Sequence, residues 1–411
     1  MCVAGGGPAG VQAALAAGRG GARVALFERS SCLPTPRTEW PELLRGPAPS
    51  VRDTETALAQ GGVHVRFGES VSEVGRDLAV ASPSGRHRFD SVVVSTGTTF
   101  APTVFPGSRK PGVHILASQA SYSELREACI GYSRVILAGT GFTALEVAER
   151  LAQKGIQVTI SAPGGVLPSR FCAQVRGFAL GAASELGISV RGSPVRKAIG
   201  LDKVDAAFVG EEVLPCDGVV VVPKRVPSLP AVPAEIGPSG GIIVDLRMRS
   251  TVSGLYAAGG SAEHLAGSGS FSFIPGSAAR ASGSVAGSNA AGGRESLLPV
   301  GVFSRRVLGF TVASAGFALE EALAAGYDAL ESSSGRGERS ACSIVFEARS
   351  GRVLGIQHVA RVGAPTPEML ALVVSQGVLL GDLARLERTG STDISPVFEA
   401  ASEGMRLWQR S

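Results

Sequence analysis

Apolar positions at the start of the chain fall into three blocks. "CVA" reads as a strand, "VQAALAAGRGG" as a helix and "RVALFE" as a second strand, with the turn "GGGPAG" after the first. That order is a strand–helix–strand unit of a parallel sheet. The first strand is expected to be short, because almost nothing precedes Gly5, whereas strands usually run about five residues. Residues 63–97 alternate apolar and polar positions as hairpin strands do, then end in a buried run, "SVVVSTG". A proline-rich segment, "FAPTVFPGSRKPGVH", leaves this layer.

A second unit of the same type begins at "RVILAGTGFTALEVAERLAQKGIQVTI". Apolar residues at 145, 147, 148, 151 and 152 predict a helix over 143–154, ended by Gly155. "GGIIVDLRMRSTVSGLYAAGG" returns to the first layer, and a Gly/Ser/Ala-rich helix is predicted over 276–291. Beyond that the character changes. "VFSRRVLGFTVAS" and "SACSIVFEARSGRVLGIQHVARVG" read as antiparallel strands, and "ALEEALAAGY" and "PEMLALVVSQGVLLGDLARL" as amphipathic helices.

Composition adjusts this picture modestly. With 411 residues, 44% of them hydrophobic, the chain is long enough for two or three domains. Its net charge of +4 is spread without basic runs, which argues against a nucleic-acid partner. No run of about 18 apolar residues marks a membrane span, and no charged leader with an apolar core marks secretion, so a cytoplasmic location is expected. The six cysteines are scattered without a CxxC, so neither a disulfide framework nor a zinc site is expected. His114, His264 and His358 stand singly, without metal-ligand spacing, and Arg305–Arg306 reads as a solvated pair.

Two glycine patterns carry chemistry. Gly5, Gly7 and Gly10 follow a strand and open a helix. The first permits the tight turn, the second lets a pyrophosphate approach the backbone, and the third lets helix and strand pack closely. Pro8 and Ala9 complete the turn, and Glu28 ends the next strand about twenty residues on, where an acid accepts a ribose hydroxyl. Gly139, Gly141 and Ala144 repeat the pattern, but Ser161 or Ala162 stands where the acid is expected, and Arg170 is the nearest downstream arginine.

Two dinucleotide-type units, with the first layer resumed after the second, point to a flavin faced by a nicotinamide. Over nearly its whole length the chain resembles the flavoprotein disulfide reductase superfamily, most of all its coenzyme A-disulfide reductase and NADH oxidase branch. "VAGGGPAG" with "FE" resembles the FAD fingerprint, and "VILAGTGFTALEVAERL" the nicotinamide fingerprint. "VVVSTGTTFAPTVFPG", "GLYAAGG", "PGSAARASGSVAGSNAAGG" and "TDISPVFEAA" resemble further family segments. The resemblance implies an α/β fold with two Rossmann-like layers and an α+β C-terminal dimerisation domain. The FAD-type domain would span 1–107 and 232–296, the NAD(P)-type domain 108–231 and the dimerisation domain 297–411. FAD would meet Gly5, Gly7, Pro8, Ala9, Gly10, Glu28, Arg29, Val71, Thr96, Gly97, Gly259, Gly260, Pro275 and Ala278. The helix N-terminus at Pro275–Ala278 would stabilise a reduced anionic flavin. NADH or NADPH would meet Gly139, Gly141 and Ala144, with Glu146 facing the nicotinamide.

The chain departs from the family at three places. The family's "YAAGD" aspartate is replaced by Gly260, with Ser261 and Glu263 nearby. The ribose acid of the second unit is absent. The family's redox cysteine lies about ten residues past the ribose acid, whereas Cys32 lies only four past Glu28. Matching "CGLPYYIGG" to "TEWPELLRG" puts Thr38 at the nucleophile, and threonine cannot attack a disulfide. A local shortening would instead bring Cys32 to the flavin. The leading expectation is an FAD-dependent NAD(P)H oxidoreductase without a redox thiol, acting on a small molecule or oxygen. A coenzyme A-type disulfide reductase using Cys32 is the alternative. A non-redox biosynthetic enzyme or a silent binding dimer on the same scaffold is the third possibility.

Overall fold

The computed structural model describes residues 1–33, 52–168, 170–266, 269–272, 276–297, 300–335, 337, 339–362, 365–387 and 395–409. They divide into two units, the first holding residues 1–33, 52–101 and 225–297 and the second 102–224 and 300–409.

The first unit is built on a five-stranded parallel sheet. Its strands lie in the order Leu255–Ala257, Val92–Val94, Cys2–Ala4, Val24–Glu28 and Val63–Phe67. The expected short first strand forms with three residues, and all three are buried. It holds because parallel partners flank it on both sides, with Cys2 opposite Ala25 on one and Val92 on the other. Strands buried on both faces read as continuous apolar runs, which is what "VVV" at 92–94 shows.

Two helices cover one another in this unit, Pro8–Arg19 and Gly276–Ala290. Their approach depends on glycine. A methyl group at Gly283 would lie 2.1 Å from the Ala9 carbonyl oxygen, and one at Gly287 would lie 2.0 Å from that of Ala13. The spacing of four residues keeps both glycines on one helix face. A small antiparallel sheet, Glu73–Val74, Ala79–Ser82 and Gly85–Arg88, carries the alternation seen in the sequence.

The second unit contains another five-stranded parallel sheet, in the order Ser189–Arg191, Gln157–Ser161, Arg134–Ala138, Gly218–Val221 and Val113–Ile115. The predicted helix runs Phe142–Ala152 and buries Ala144, Leu145, Val147, Ala148 and Leu151. The same unit holds a five-stranded antiparallel sheet, ordered Phe303–Val307, Phe310–Gly316, Val353–Ala360, Ser340–Glu347 and Ala329–Gly335. "PEMLALVVSQGVLLGDLARL" forms two helices, Pro367–Ser375 and Leu380–Arg385, broken at Gly377, whose φ is +62°. Residues of the antiparallel sheet share a core with these helices and Ser395–Trp408 through Ile344, Phe346, Leu370, Leu380 and Phe398. The fold is therefore mixed α/β with two Rossmann-like parallel sheets, as the chain's pattern indicates.

Candidate functional site

The first glycine turn is built so that backbone, not side chains, faces outward. Gly5 has φ +101°, and a Cβ there would strike the Ser95 carbonyl oxygen at 2.6 Å. A Cβ at Gly10 would lie 1.8 Å from the Gly5 carbonyl oxygen, so the helix can sit on the strand only without a side chain. Gly7 is different: nothing lies within 4 Å of the Cβ position, which leaves its face open. Gly7 is also the N-cap of Pro8–Arg19, with no side-chain cap and no acidic residue in the first turn. The first-turn amides and the positive end of the helix dipole are thus left for an anion.

Glu28 closes the same turn. It is buried, and its Oε2 accepts the Gly6 N–H at 2.7 Å while Oε1 accepts the Ser30 N–H at 2.9 Å. Each carboxylate oxygen keeps further acceptor capacity for a hydroxyl. Arg29 beyond it is exposed, and Val71 is half-buried against the core of the unit.

A second loop cluster of this unit is held by hydroxyl groups. Thr96 Oγ1 donates to the Ser228 carbonyl at 2.5 Å, and Gly97, with φ +73°, donates its N–H to Ser261 Oγ at 2.8 Å. Gly259, with φ +63°, donates to Ser282 Oγ at 3.0 Å on the helix that also carries half-buried Ala278. Gly260 cannot become the family's aspartate without a shift of its neighbours. A Cβ there would lie 2.6 Å from the Thr98 methyl, and Thr98 is buried. Neither neighbouring polar residue is left over to replace it. Ser261 is engaged at Gly97, and Glu263 is fully buried, accepting from Ser239 Oγ at 2.5 Å and from the Gly241 N–H at 3.2 Å. Pro275 lies outside the described residues.

In the second unit, Gly141 is the N-cap of Phe142–Ala152 and again has nothing within 4 Å of its Cβ position. A Cβ at Gly139 would meet the Ala144 Cβ at 2.8 Å, which is the close strand–helix packing of the pattern. At the end of the next strand, buried Ser161 donates to the Ser193 carbonyl at 2.6 Å, so its hydroxyl is occupied. Arg170 does not reach this strand end. It pairs with Glu321 at 3.7 Å and lies over the Phe171 ring. A different arginine does: Arg191 stands opposite Ser161 in register and is held by Glu212 at 3.4 Å. The periodicity of the chain could not reveal it, because only strand pairing brings the two together.

Glu146 is buried on the same helix and forms a bidentate pair with Arg305, at 2.5 Å to Nε and 2.8 Å to Nη2. This corrects the solvated-pair expectation for Arg305–Arg306: Arg306 is exposed, but Arg305 is turned inward onto a carboxylate. Burial pushes the Glu146 carboxyl above its ordinary range, and Arg305 pulls it back only in part. Phe142, at the helix start, packs 4.8 Å from Phe303 and 5.3 Å from Phe171.

Cys32 is exposed, whereas Leu33 beside it is buried in the core of the first unit. Thr38 lies outside the described residues. Cys2, Cys129, Cys216 and Cys342 are buried, and burial pushes the Cys2 thiol up to about 12 and those of Cys129 and Cys216 to about 11. The single histidines are held within the fold. His114 Nε2 lies 2.8 Å from the Tyr132 hydroxyl, His264 Nδ1 lies 2.9 Å from the Val244 carbonyl, and His358 is fully buried. Among the described residues no group of three His, Cys, Asp or Glu side chains could hold a metal, and no helix is long and apolar enough to cross a membrane.

The turns fit the cofactors that the sequence resemblance implies: two open glycine caps for two pyrophosphates, and one strand-end acid for a ribose. The chain is 28% identical over 176 residues to rhodocoxin reductase of Rhodococcus erythropolis, covering 42% of this chain and 41% of that one. It is 32% identical over 169 residues to an NADH oxidase of Thermoanaerobacter brockii, covering 39% and 24%. The chain thus spans less than half the length of both relatives. Its fold matches that of an NAD-dependent persulfide reductase from A. fulgidus with a TM-score of 0.86, at 24% identity, over 100% of this chain and 83% of that one. The family model for pyridine nucleotide-disulphide oxidoreductases matches residues 1–284, so the chain belongs to that family.

Proposed function

We propose that this chain is an FAD-dependent NAD(P)H oxidoreductase that passes electrons to a small-molecule acceptor or to oxygen without a cysteine relay. The observation that carries the reading is the pair of open N-caps, Gly7 and Gly141, each on a helix rising from a parallel sheet. The pyrophosphate of FAD would lie against Gly5–Gly10 and its ribose on Glu28. Thr96, Gly97 and Gly259 would line the same cofactor, and Gly139, Gly141 and Ala144 would take the nicotinamide dinucleotide. FAD, when bound, supplies the two-electron acceptor that a reduced nicotinamide needs. The chain's own residues bind and orient: amides hold phosphates, Glu28 holds a hydroxyl, and Glu146 with Arg305 sets the charge near the second turn. The names of the matched relatives, a reductase and an NADH oxidase, support electron transfer from a nicotinamide. The antiparallel C-terminal sheet and its helices are the proposed homodimer surface.

A disulfide reductase using Cys32 is the second reading, favoured by one observation: Cys32 is the exposed thiol among the six cysteines. The absorbance spectrum of the purified protein, before and after anaerobic NADH or NADPH, tests the first reading. A bound flavin that bleaches supports it, and a protein that neither carries nor takes up FAD refutes it. Cys32→Ser separates the readings when coenzyme A disulfide is the acceptor: loss of disulfide reduction with oxygen or quinone turnover retained supports a thiol relay, and unchanged disulfide turnover excludes it.

A further inference from the structure

Gln357 is buried on Val353–Ala360, the central strand of the antiparallel sheet. Both ends of its amide are used on one distant stretch of backbone. Its Oε1 accepts the Cys172 N–H at 2.8 Å, 185 residues away, and its Nε2 donates to the Arg170 carbonyl at 2.7 Å, 187 residues away. Cys172 and Arg170 belong to the connection from Gln157–Ser161 to the helix Ala173–Glu185, which is described at 162–168 and 170–172. The same connection reaches the second glycine turn. Leu167 donates its N–H to the carbonyl of Thr140, between Gly139 and Gly141, at 2.6 Å. Leu167 has φ +65°, a left-handed conformation that leucine rarely adopts, so the surrounding contacts must hold it there. Gly164 and Gly165 give no such hold: their φ values are +81° and +92°, and nothing lies within 4 Å of either Cβ position. Phe171 sits between the two residues that Gln357 binds. Its ring lies 5.3 Å from Phe142, the first residue of the helix capped by Gly141, and 5.6 Å from Phe303 of the sheet. A plain tether would be redundant here, because Gln174 of the following helix already donates to Ser333 Oγ on the sheet at 2.6 Å. What Gln357 adds is a fixed place for residues 170–172.

We propose that Gln357 is a positioning residue for dinucleotide binding: it fixes the connection that steadies the second glycine turn, so the antiparallel sheet sets how tightly that turn takes a nicotinamide dinucleotide. The inference rests on the dinucleotide reading of the turn. The physical reason is pre-organisation. Without Gln357 the Cys172 N–H and the Arg170 carbonyl lose their partner, and the connection exchanges its place for others. Only the molecules that keep the Leu167–Thr140 bond then bind at full strength, and the apparent Kd rises by the inverse of their fraction. The charged groups around the clamp are Arg170, which pairs with Glu321 at 3.7 Å, and, near Cys172, Glu331 and Arg176.

The test is calorimetric titration of the FAD-loaded chain with NAD+ and NADP+, followed on whichever binds the wild type more tightly. The flavin-to-protein absorbance ratio is read on the same samples. Gln357→Leu is expected to raise the dinucleotide Kd at least about tenfold, which corresponds to a competent fraction of about one tenth. Its flavin ratio should stay that of wild type. Gln174→Leu removes the neighbouring helix-to-sheet bond and should leave the Kd unchanged. Gln357→Glu keeps the shape of the amide. Ionised, it turns an acceptor on the Arg170 carbonyl; protonated, it donates its O–H there. Its Kd, relative to wild type at the same pH, should therefore be raised in alkaline buffer and fall back as the carboxyl takes up a proton. If Gln357→Leu lowers the thermal midpoint but leaves the Kd unchanged, Gln357 is only a tether and the proposal fails. It fails too if Gln174→Leu raises the Kd as much, or if the flavin ratio falls along with dinucleotide affinity. If Gln357→Leu does not fold, the pH dependence of Gln357→Glu decides. A wild type that binds neither dinucleotide overturns the reading of the turn itself, and the proposal with it.

Discussion

Gly283→Ala should destabilise the protein, although alanine is ordinarily the better helix residue. In an exposed helix the substitution gains about 0.5–1 kcal/mol. At Gly283 the added methyl would lie 2.1 Å from the Ala9 carbonyl oxygen and 2.9 Å from the Ala9 Cα. Both contacts are backbone, so no side chain can swing aside. The helices Pro8–Arg19 and Gly276–Ala290 must separate by roughly 1 Å, which gives an overpacking cost of about 1–3 kcal/mol. That outweighs the propensity gain. The displaced helix is the one whose N-cap is Gly7, so weaker FAD retention should accompany the lost stability. Gly181→Ala is the control, because that helical glycine is exposed and has nothing within 4 Å of its Cβ position. Urea unfolding followed by circular dichroism, at fixed FAD, should move the two midpoints in opposite directions. The flavin-to-protein absorbance ratio after gel filtration should fall for Gly283→Ala alone. A Gly283→Ala midpoint equal to or above wild type would refute the close-packing argument.

Restoring the family's aspartate should harm this chain: Gly260→Asp is expected to cost about 1–3 kcal/mol through the Thr98 methyl, and Thr98→Ser in the same chain should recover part of it in a thermal melt. Burial holds His114 below its ordinary value of 6.5. The unfolded chain therefore takes up a proton that the folded chain resists, so stability should be highest above pH 6.5 and decline as pH falls below it. His114→Gln should flatten that part of the stability–pH curve measured in urea. Sedimentation equilibrium should give twice the chain mass if the antiparallel sheet and its helices form the proposed dimer surface, and the monomer mass would refute that assignment.

Much of the scaffold was legible in sequence. Gly5, Gly7 and Gly10, and Gly139, Gly141 and Ala144, each sit between a strand and a helix as their spacing predicts, because turn geometry is a local property. The helix over Phe142–Ala152 follows from its apolar spacing for the same reason. What the missing acid at Gly260 meant was not legible. The sequence shows a glycine, and only packing shows that a Cβ there would meet the Thr98 methyl at 2.6 Å.

By itself, then, the sequence determined the strand–turn–helix–strand order of the two glycine units, the two glycine caps and the strand-end Glu28, since each depends on neighbours a few residues away. Tertiary structure decided which polar groups are still available. It tied Glu263 to Ser239, set Arg191 beside Ser161 rather than Arg170, and turned Arg305 onto Glu146. A buried charge or hydroxyl must find a partner, and that partner is chosen by which surfaces meet in three dimensions, a fact no local pattern along the chain contains.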